Sequence, residues 1–176
     1  VDTGEVEFND VVVHQDNLIG LEEGRGLQQI LAGLALGRIN VAARGVGVAS
    51  AALDASLAYS QERETFGQPI SQHQAIAFKL AEMATKLEAA RLLTYEAARK
   101  ADAGERVDLA AGMAKLFASE TASELALDAM RIHGGNGFST EYPVERYYRD
   151  AHLMIIGEGS SEIQKLVISR ALLAED

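Results

Sequence analysis

The fold is decided by LQQILAGLALGRINVAARGVGVASAALDASLAYSQE, residues 27–62. No proline interrupts this run, and Ala and Leu, both strong helix formers, dominate it. A single helix is expected, on the order of 50 Å long at about 1.5 Å rise per residue. Between residues 41 and 58 the side chains are mostly those of Ala, Gly and Ser. Small residues on several faces call for closely packed neighbouring helices, despite the propensity cost of Gly45 and Gly47.

Downstream, RETFGQPI at residues 63–70 breaks the helix with Gly67 and Pro69. Ser71 suits the cap of a second helix reaching about residue 103, with an apolar row at Ile76, Leu80, Met83 and Leu87. Gly104 ends it. Asp108 suits the cap of a third helix, with Leu109, Met113 and Leu116 on the expected buried side, running to about His133. Gly134-Gly135-Asn136-Gly137 is a sharp stop. Pro143 opens a shorter helix near residues 144–156, and a last one runs from Ser161 to about Leu173. Upstream, Val6 and Phe8 alternate with polar neighbours and Val11-Val12-Val13 follows, which predicts one or two short strands. Two strands make no stable sheet alone, so these await partners. Residues 21–26, rich in Glu and Gly, form a hinge. The expected fold class is all-α, an up-and-down helical bundle over residues 27–176 preceded by those strands.

The 176 residues suit one domain with a sizeable core. Sixteen Lys and Arg against 26 Asp and Glu give a net charge of −10, which argues against nucleic acid or an anionic membrane as the main partner. There is no cysteine, hence no disulfide and no thiolate chemistry. His14, His73, His133 and His152 lack a close-spaced ligand pair, so no metal site is expected. No signal peptide is read, nor an apolar run expected to span a membrane.

Chemistry concentrates in Gly157-Glu158-Gly159-Ser160-Ser161-Glu162-Ile163-Gln164. Ser161 and Gln164 have capping-box spacing ahead of a helix whose N–H groups suit an anion. Glycines on both sides of Glu158 let a ligand lie against the backbone. Glu158 is then a proton-accepting carboxylate, or else a dipole-favoured acid in a glycine loop. Arg63 and Thr65 offer a fork and a hydroxyl to a diphosphate and Phe66 a ring to stack on an aromatic one, or else Arg63 favours a helix C-terminus and Phe66 plugs the core. His73 and Gln74 suit an adenine or phosphate edge, or ordinary surface. The glycines at 134, 135 and 137 admit phosphates close to backbone, or simply turn the chain. Glu145-Arg146 and Arg149-Asp150 read as surface ion pairs. Arg38, in the first helix, either pairs with a carboxylate such as Glu158 or extends to solvent.

Taken in order, RETFG at 63–67, QHQAI at 72–76, IHGGNGF at 132–138, TEYPVE at 140–145, RD at 149–150 and EGSSEIQ at 158–164 resemble the acyl-CoA dehydrogenase family. The resemblance covers essentially the whole chain. It implies that residues 1–26 are the tail of a middle β domain and a hinge, and residues 27–176 the C-terminal helical domain. It implies FAD as cofactor, an acyl-CoA substrate, electron-transfer flavoprotein as acceptor, and a homotetramer built as a dimer of dimers. Cytoplasmic location is expected, with the mitochondrial matrix left open. A related acyl-CoA oxidase and a non-catalytic assembly domain are the rival readings.

In that family the matching acid removes the α-hydrogen of the acyl-CoA as a proton, and the β-hydrogen leaves as hydride to FAD. Glu158 occupies that place. The alternative place for the base, just ahead of Arg38, holds Gly37, which cannot act. The resemblance further implies that Arg63, Glu64, Thr65, His73 and Gln74 hold FAD bound mainly by a neighbouring subunit. Phe66 belongs to the same loop, and Arg131, Ile132, His133, Gly134 and Gly135 would line the adenosine half. Ser160, Ser161 and Glu162 would contact their own subunit's FAD, while Arg38 and Gly159 would meet substrate. Three residues depart from the family pattern: Ala35 replaces an aspartate that helps hold CoA, Arg131 a glutamine, and Gly157 a tyrosine, the last widening the acyl pocket.

Overall fold

A computed structural model describes residues 4–173, which fall into two units, residues 4–33 and residues 34–173. The helices are α1 (Gly26–Glu62), α2 (Gln74–Asp102), α3 (Asp108–His133), α4 (Val144–Ile156) and α5 (Ser161–Leu173). The two strands of the described residues, β1 (Glu64–Thr65) and β2 (Gln68–Pro69), make a minimal antiparallel hairpin between α1 and α2.

In the first unit the expected strands do not form. Residues 4–14 have no ladder partner, and Val6, Phe8, Val11, Val12 and Val13 are all exposed. Two 3-10 turns, Gln15–Asn17 and Ile19–Leu21, follow. The Gln29 side chain donates to the Ile19 carbonyl at 2.8 Å and ties the second turn to the start of α1. Alternation had marked a strand, but a strand exists only where another accepts its hydrogen bonds.

In the second unit α3 is the central helix, packed against α2, α4 and α5. Its buried face is built of small residues: Ala111, Ala114, Ala118, Ala122, Ala126 and Ala129 are fully buried. The expected buried side was wrong, since Leu109, Met113 and Leu116 lie on the opposite side and are half-buried. Small faces let backbones approach. A Cβ on Gly45 of α1 would lie 2.8 Å from the Ala118 carbonyl oxygen. Larger side chains fill the end of the bundle near the hairpin, where Leu53, Met83, Leu87, Leu125, Ile132 and Val144 form one cluster. Each such burial contributes roughly 1.5–3 kcal/mol.

Over an 18-residue window α1 has a mean hydropathy of 1.2, so by length and composition it could cross a membrane, contrary to expectation. Here that apolarity is used in packing: Ala42, Ala49 and Ala52 are fully buried, with Ser56 and Ser60 beside them bonded to helix carbonyls.

Helix ends differ from expectation in detail. Ser71 lies inside a 3-10 turn, Ile70–Gln72, and α2 starts one turn later behind His73. Asp108 is the first residue of α3 and the cap is Val107. At the end of α2 the N–H groups of Gly104 and Glu105 reach the Ala101 and Lys100 carbonyls, a Schellman motif with Gly104 at φ +71°. On α4 the ion pair is Glu145–Arg149 at 2.7 Å, because neighbours in sequence point apart on a helix and residues four apart meet.

Candidate active site

The Gly157 N–H closes α4 on the Leu153 carbonyl at 2.8 Å, and α5 begins four residues later. Between them the chain turns through two left-handed residues, Glu158 at φ +55° and Gly159 at φ +88°. A glutamate in that region is uncommon and stores strain of order 1 kcal/mol. The turn aims the Glu158 side chain at α1. A Cβ on Gly37 would lie 2.5 Å from Glu158 Oε2. Glycine at 37 is therefore the space in which the carboxylate stands.

Beneath the turn lie two fully buried polar side chains, Lys115 of α3 and Gln164 of α5. Gln164 Nε2 donates to the carbonyls of Glu158 at 3.1 Å and Gly159 at 2.9 Å. Lys115 Nζ donates to Gly159 at 2.8 Å and to Ile155, in the last turn of α4, at 2.9 Å. Burial pushes the Lys115 ammonium below its usual value, opposed by Glu120 and Glu162. The capping box read from Ser161 and Gln164 is not made. Ser161 donates to Glu120 at 2.5 Å, while Ser160 precedes the helix and its carbonyl accepts from the Gln164 N–H. Glu162's own backbone N–H, then the Ser160 hydroxyl, hold that exposed carboxyl below the usual carboxylate range. Arg38 is buried next to Gly37. Its nearest carboxylate is Asp108, at 3.9 Å, rather than Glu158, and its Nε has no partner.

A second cluster lies at the other end of α1. Thr65 and Gln68 of the hairpin hydrogen-bond opposite nitrogens of His73, at 3.0 and 3.1 Å. The hairpin tip leaves Phe66 98% exposed. Tyr59, in the last turns of α1, stacks on His133 at 4.2 Å and takes a hydrogen bond from Asn136 at 3.0 Å. The hairpin and the loop after α3 thus share one end of the bundle. Twenty-five residues of α1 separate Gly37 from Glu62, about 38 Å at 1.5 Å per residue.

The family model described as "Acyl-CoA dehydrogenase, C-terminal domain" matches residues 24–173. The chain belongs to the acyl-CoA dehydrogenase family. A probable acyl-CoA dehydrogenase of Bacillus subtilis is 53% identical over 171 residues, 97% of this chain and 45% of that protein. A caffeyl-CoA reductase–Etf complex subunit of Acetobacterium woodii is 45% identical over the same shares. The butyryl-CoA dehydrogenase of Megasphaera elsdenii superposes with a TM-score of 0.86 at 44% identity, over 87% of this chain and 40% of that one. The chain spans about half the length of the curated relatives it matches.

Among the acyl-CoA dehydrogenase residues expected from sequence, the fold brings together Arg38, Glu158, Gly159, Ser160, Ser161 and Glu162. It gathers Arg63, Glu64, Thr65, Phe66, His73 and Gln74 separately, with Arg131, Ile132, His133, Gly134 and Gly135 near them. Within the latter run Ile132 and His133 are core residues, and Arg131 is exposed beside Asp128 at 3.7 Å. Gly134 and Gly135 are open, with nothing within 4 Å of an added Cβ. Ser161 is buried and its hydroxyl is already engaged. Sequence reading missed Lys115 as a site residue. Its signal was a lone cation on the small-residue face of α3, between Ala111 and Ala118.

Proposed function

We propose that this chain is the C-terminal bundle of an FAD-dependent acyl-CoA dehydrogenase that desaturates an acyl-CoA thioester between Cα and Cβ, with Glu158 as the base. The observation that carries this reading is the Glu158 carboxylate held over Gly37 by a left-handed turn. A base acting on carbon needs a fixed carboxylate and a ligand able to lie close to it. Gly157 and Gly159 are required by the packing of the turn itself, since a Cβ would lie 3.2 Å from the Leu153 carbonyl oxygen at the first and 2.9 Å from Gln164 Nε2 at the second. A thioester would approach Glu158 from its exposed side. The Glu158 N–H is the group of this chain suited to the developing enolate oxygen.

The residues fit FAD by their donor chemistry. Arg63 gives a cationic fork for a diphosphate, Phe66 an uncovered ring, and Gly134 and Gly135 an open backbone. Glu64 suits a ribose hydroxyl. FAD, when bound, supplies the acceptor for the β-hydrogen, which leaves as hydride. Glu158 takes the α-proton onto a carboxylate oxygen, and Arg38 and Gly159 border the substrate. The 38 Å estimated along α1 favours the Arg63 cluster serving a cofactor held by a second copy, in a homotetramer. Electron-transfer flavoprotein as acceptor is supported by the Etf-complex relative, and a cytoplasmic location is part of the same proposal.

Glu158→Gln in the full-length enzyme tests the base. The amide keeps shape and loses basicity, so acyl-CoA-dependent dye reduction should fall by at least about a thousandfold with flavin retained. Dye reduction near the wild-type rate would remove Glu158 from the role. The reductase named among the relatives favours a second reading, in which the same carboxyl returns a proton to Cα of an enoyl-CoA. Relative rates with an acyl-CoA and a dye oxidant, against an enoyl-CoA and a reductant, separate the two.

A further inference from the structure

Lys115 is a fully buried ammonium whose nitrogen touches two carbonyl oxygens. Among the described residues no carboxylate lies within ion-pair distance of it. Burying a cation with carboxylates only at a distance, Glu120, Glu162 and Glu158, is costly, so its place needs a reason. One carbonyl is that of Ile155, among the last of α4, where a cation favours the helix dipole. That bond alone would make Lys115 a helix cap. The other carbonyl belongs to Gly159, the residue that follows Glu158 in the left-handed turn. By binding both, one nitrogen fastens the far side of the turn to the helix that precedes it. Gln164, also fully buried, holds the Glu158 and Gly159 carbonyls from the α5 side. The turn is strained at Glu158, and without these donors the carbonyls would be free to reorient toward solvent. The carboxylate would then leave its place over Gly37.

We propose that Lys115 is a positioning residue for proton abstraction: it locks the Glu158–Gly159 turn from beneath and so fixes the carboxylate at the substrate, without touching substrate itself. This rests on the reading of Glu158 as the base. The side chain comes from α3, so the central helix of the bundle sets the site directly.

The test uses the full-length flavoenzyme and an acyl-CoA that carries α-hydrogens but cannot lose a β-hydride. Exchange of its α-protons into D2O reads proton abstraction alone. Lys115→Met keeps the length and apolar stem and removes the donors. It should slow exchange by at least about tenfold while changing the dissociation constant of the acyl-CoA by less than about threefold. Flavin content and helical circular dichroism should be retained. If a folded Lys115→Met exchanges at the wild-type rate, Lys115 is only a structural cap and the proposal is overturned. Should that variant not fold, Lys115→Leu, which also lacks a donor, decides by the same criterion. Glu158→Gln run alongside separates the two ideas: wild-type exchange there sinks the base, whereas abolished exchange there with unchanged Lys115 variants sinks only the positioning role.

Discussion

Gly37 and Glu158 make a pair in which one residue's absence of a side chain is the other's working space. Gly37→Ala should therefore raise stability and lower activity together. Ala in a helix interior gains roughly 0.5–1 kcal/mol over Gly, and the group it meets is the end of a flexible side chain that can swing away. Chemical denaturation should show the gain, and α-proton exchange should drop at least about tenfold; full exchange would mean that the carboxylate works from elsewhere. A different single residue contributes to the acid response of the bundle near neutral pH. His133 is buried against Tyr59, and burial holds its imidazole below the ordinary 6.5 despite the Ala129 carbonyl at 2.8 Å. As pH falls through about 6.5 the unfolded chain takes up a proton that the folded one resists, so stability falls with pH below that value and is complete above it. His133→Phe keeps a ring on Tyr59 and should flatten this part of the profile, by up to about 1.4 kcal/mol per pH unit; an unchanged slope would assign it to other groups. Gly157 and Gly159 marked a turn at Glu158 in the sequence, whereas Gly37 was read only as unable to act, and its role as room for the carboxylate appears only in the fold. Lys115 was not readable: a lysine in sequence looks solvated, and only the fold shows that its flank of α3 faces inward.

At the scale of elements, the existence and order of all five helices were legible, because Ala-rich runs ended by Gly and Pro have few other solutions. The facing of α3 was not. Periodicity weights large apolar residues, and here Leu109, Met113 and Leu116 point away while alanines make the core. Close packing, not side-chain bulk, decided the face. That distinction is testable on α1, where two glycines two residues apart have opposite surroundings. Gly45 meets the Ala118 backbone oxygen at 2.8 Å, and Gly47 meets nothing within 4 Å. Gly45→Ala should cost about 1–3 kcal/mol through overpacking, despite the gain in helix propensity. Gly47→Ala should be stabilising by roughly 0.5–1 kcal/mol. Urea midpoints measured side by side check the pair, and equal effects at both positions would show that the α1–α3 approach is looser than described. The strand reading of residues 4–14 erred for the converse reason: local pattern was right for a strand, but the hydrogen-bond partner that completes one is not among the described residues.

At the scale of the whole molecule, the second unit carries three buried clusters of its own, around Leu53 and Leu125, around Val41 and Met154, and around Ala90 and Ala118. Two cross-links between α2 and α3, Lys79–Asp128 at 2.6 Å and Lys86–Glu124, add to them. The bundle therefore closes a core without help, and the 176-residue chain alone should fold with a cooperative helical transition. Its surface is a different matter. Phe66, Phe78, Leu92, Tyr95 and Phe138 are each more than half exposed, more large apolar surface than a solitary bundle needs to show. Beside Tyr95, the open shallow face of Ala43, Gly47 and Ser50 admits a close-packed neighbour. The chain should run larger than a monomer by light scattering. It should nevertheless be colourless. The Arg63 cluster and the Glu158 turn stand about 38 Å apart along α1, so each offers one wall to a cofactor, and the exposed Glu158 has no second wall to exclude water from it. Association can bring the Arg63 cluster of one copy to the cofactor side of another, but it leaves the wall facing Glu158 unsupplied. A purified sample with a stoichiometric yellow flavin spectrum would show that the bundle encloses its cofactor unaided, and a strictly monomeric sample would mean that the exposed rings serve some other surface.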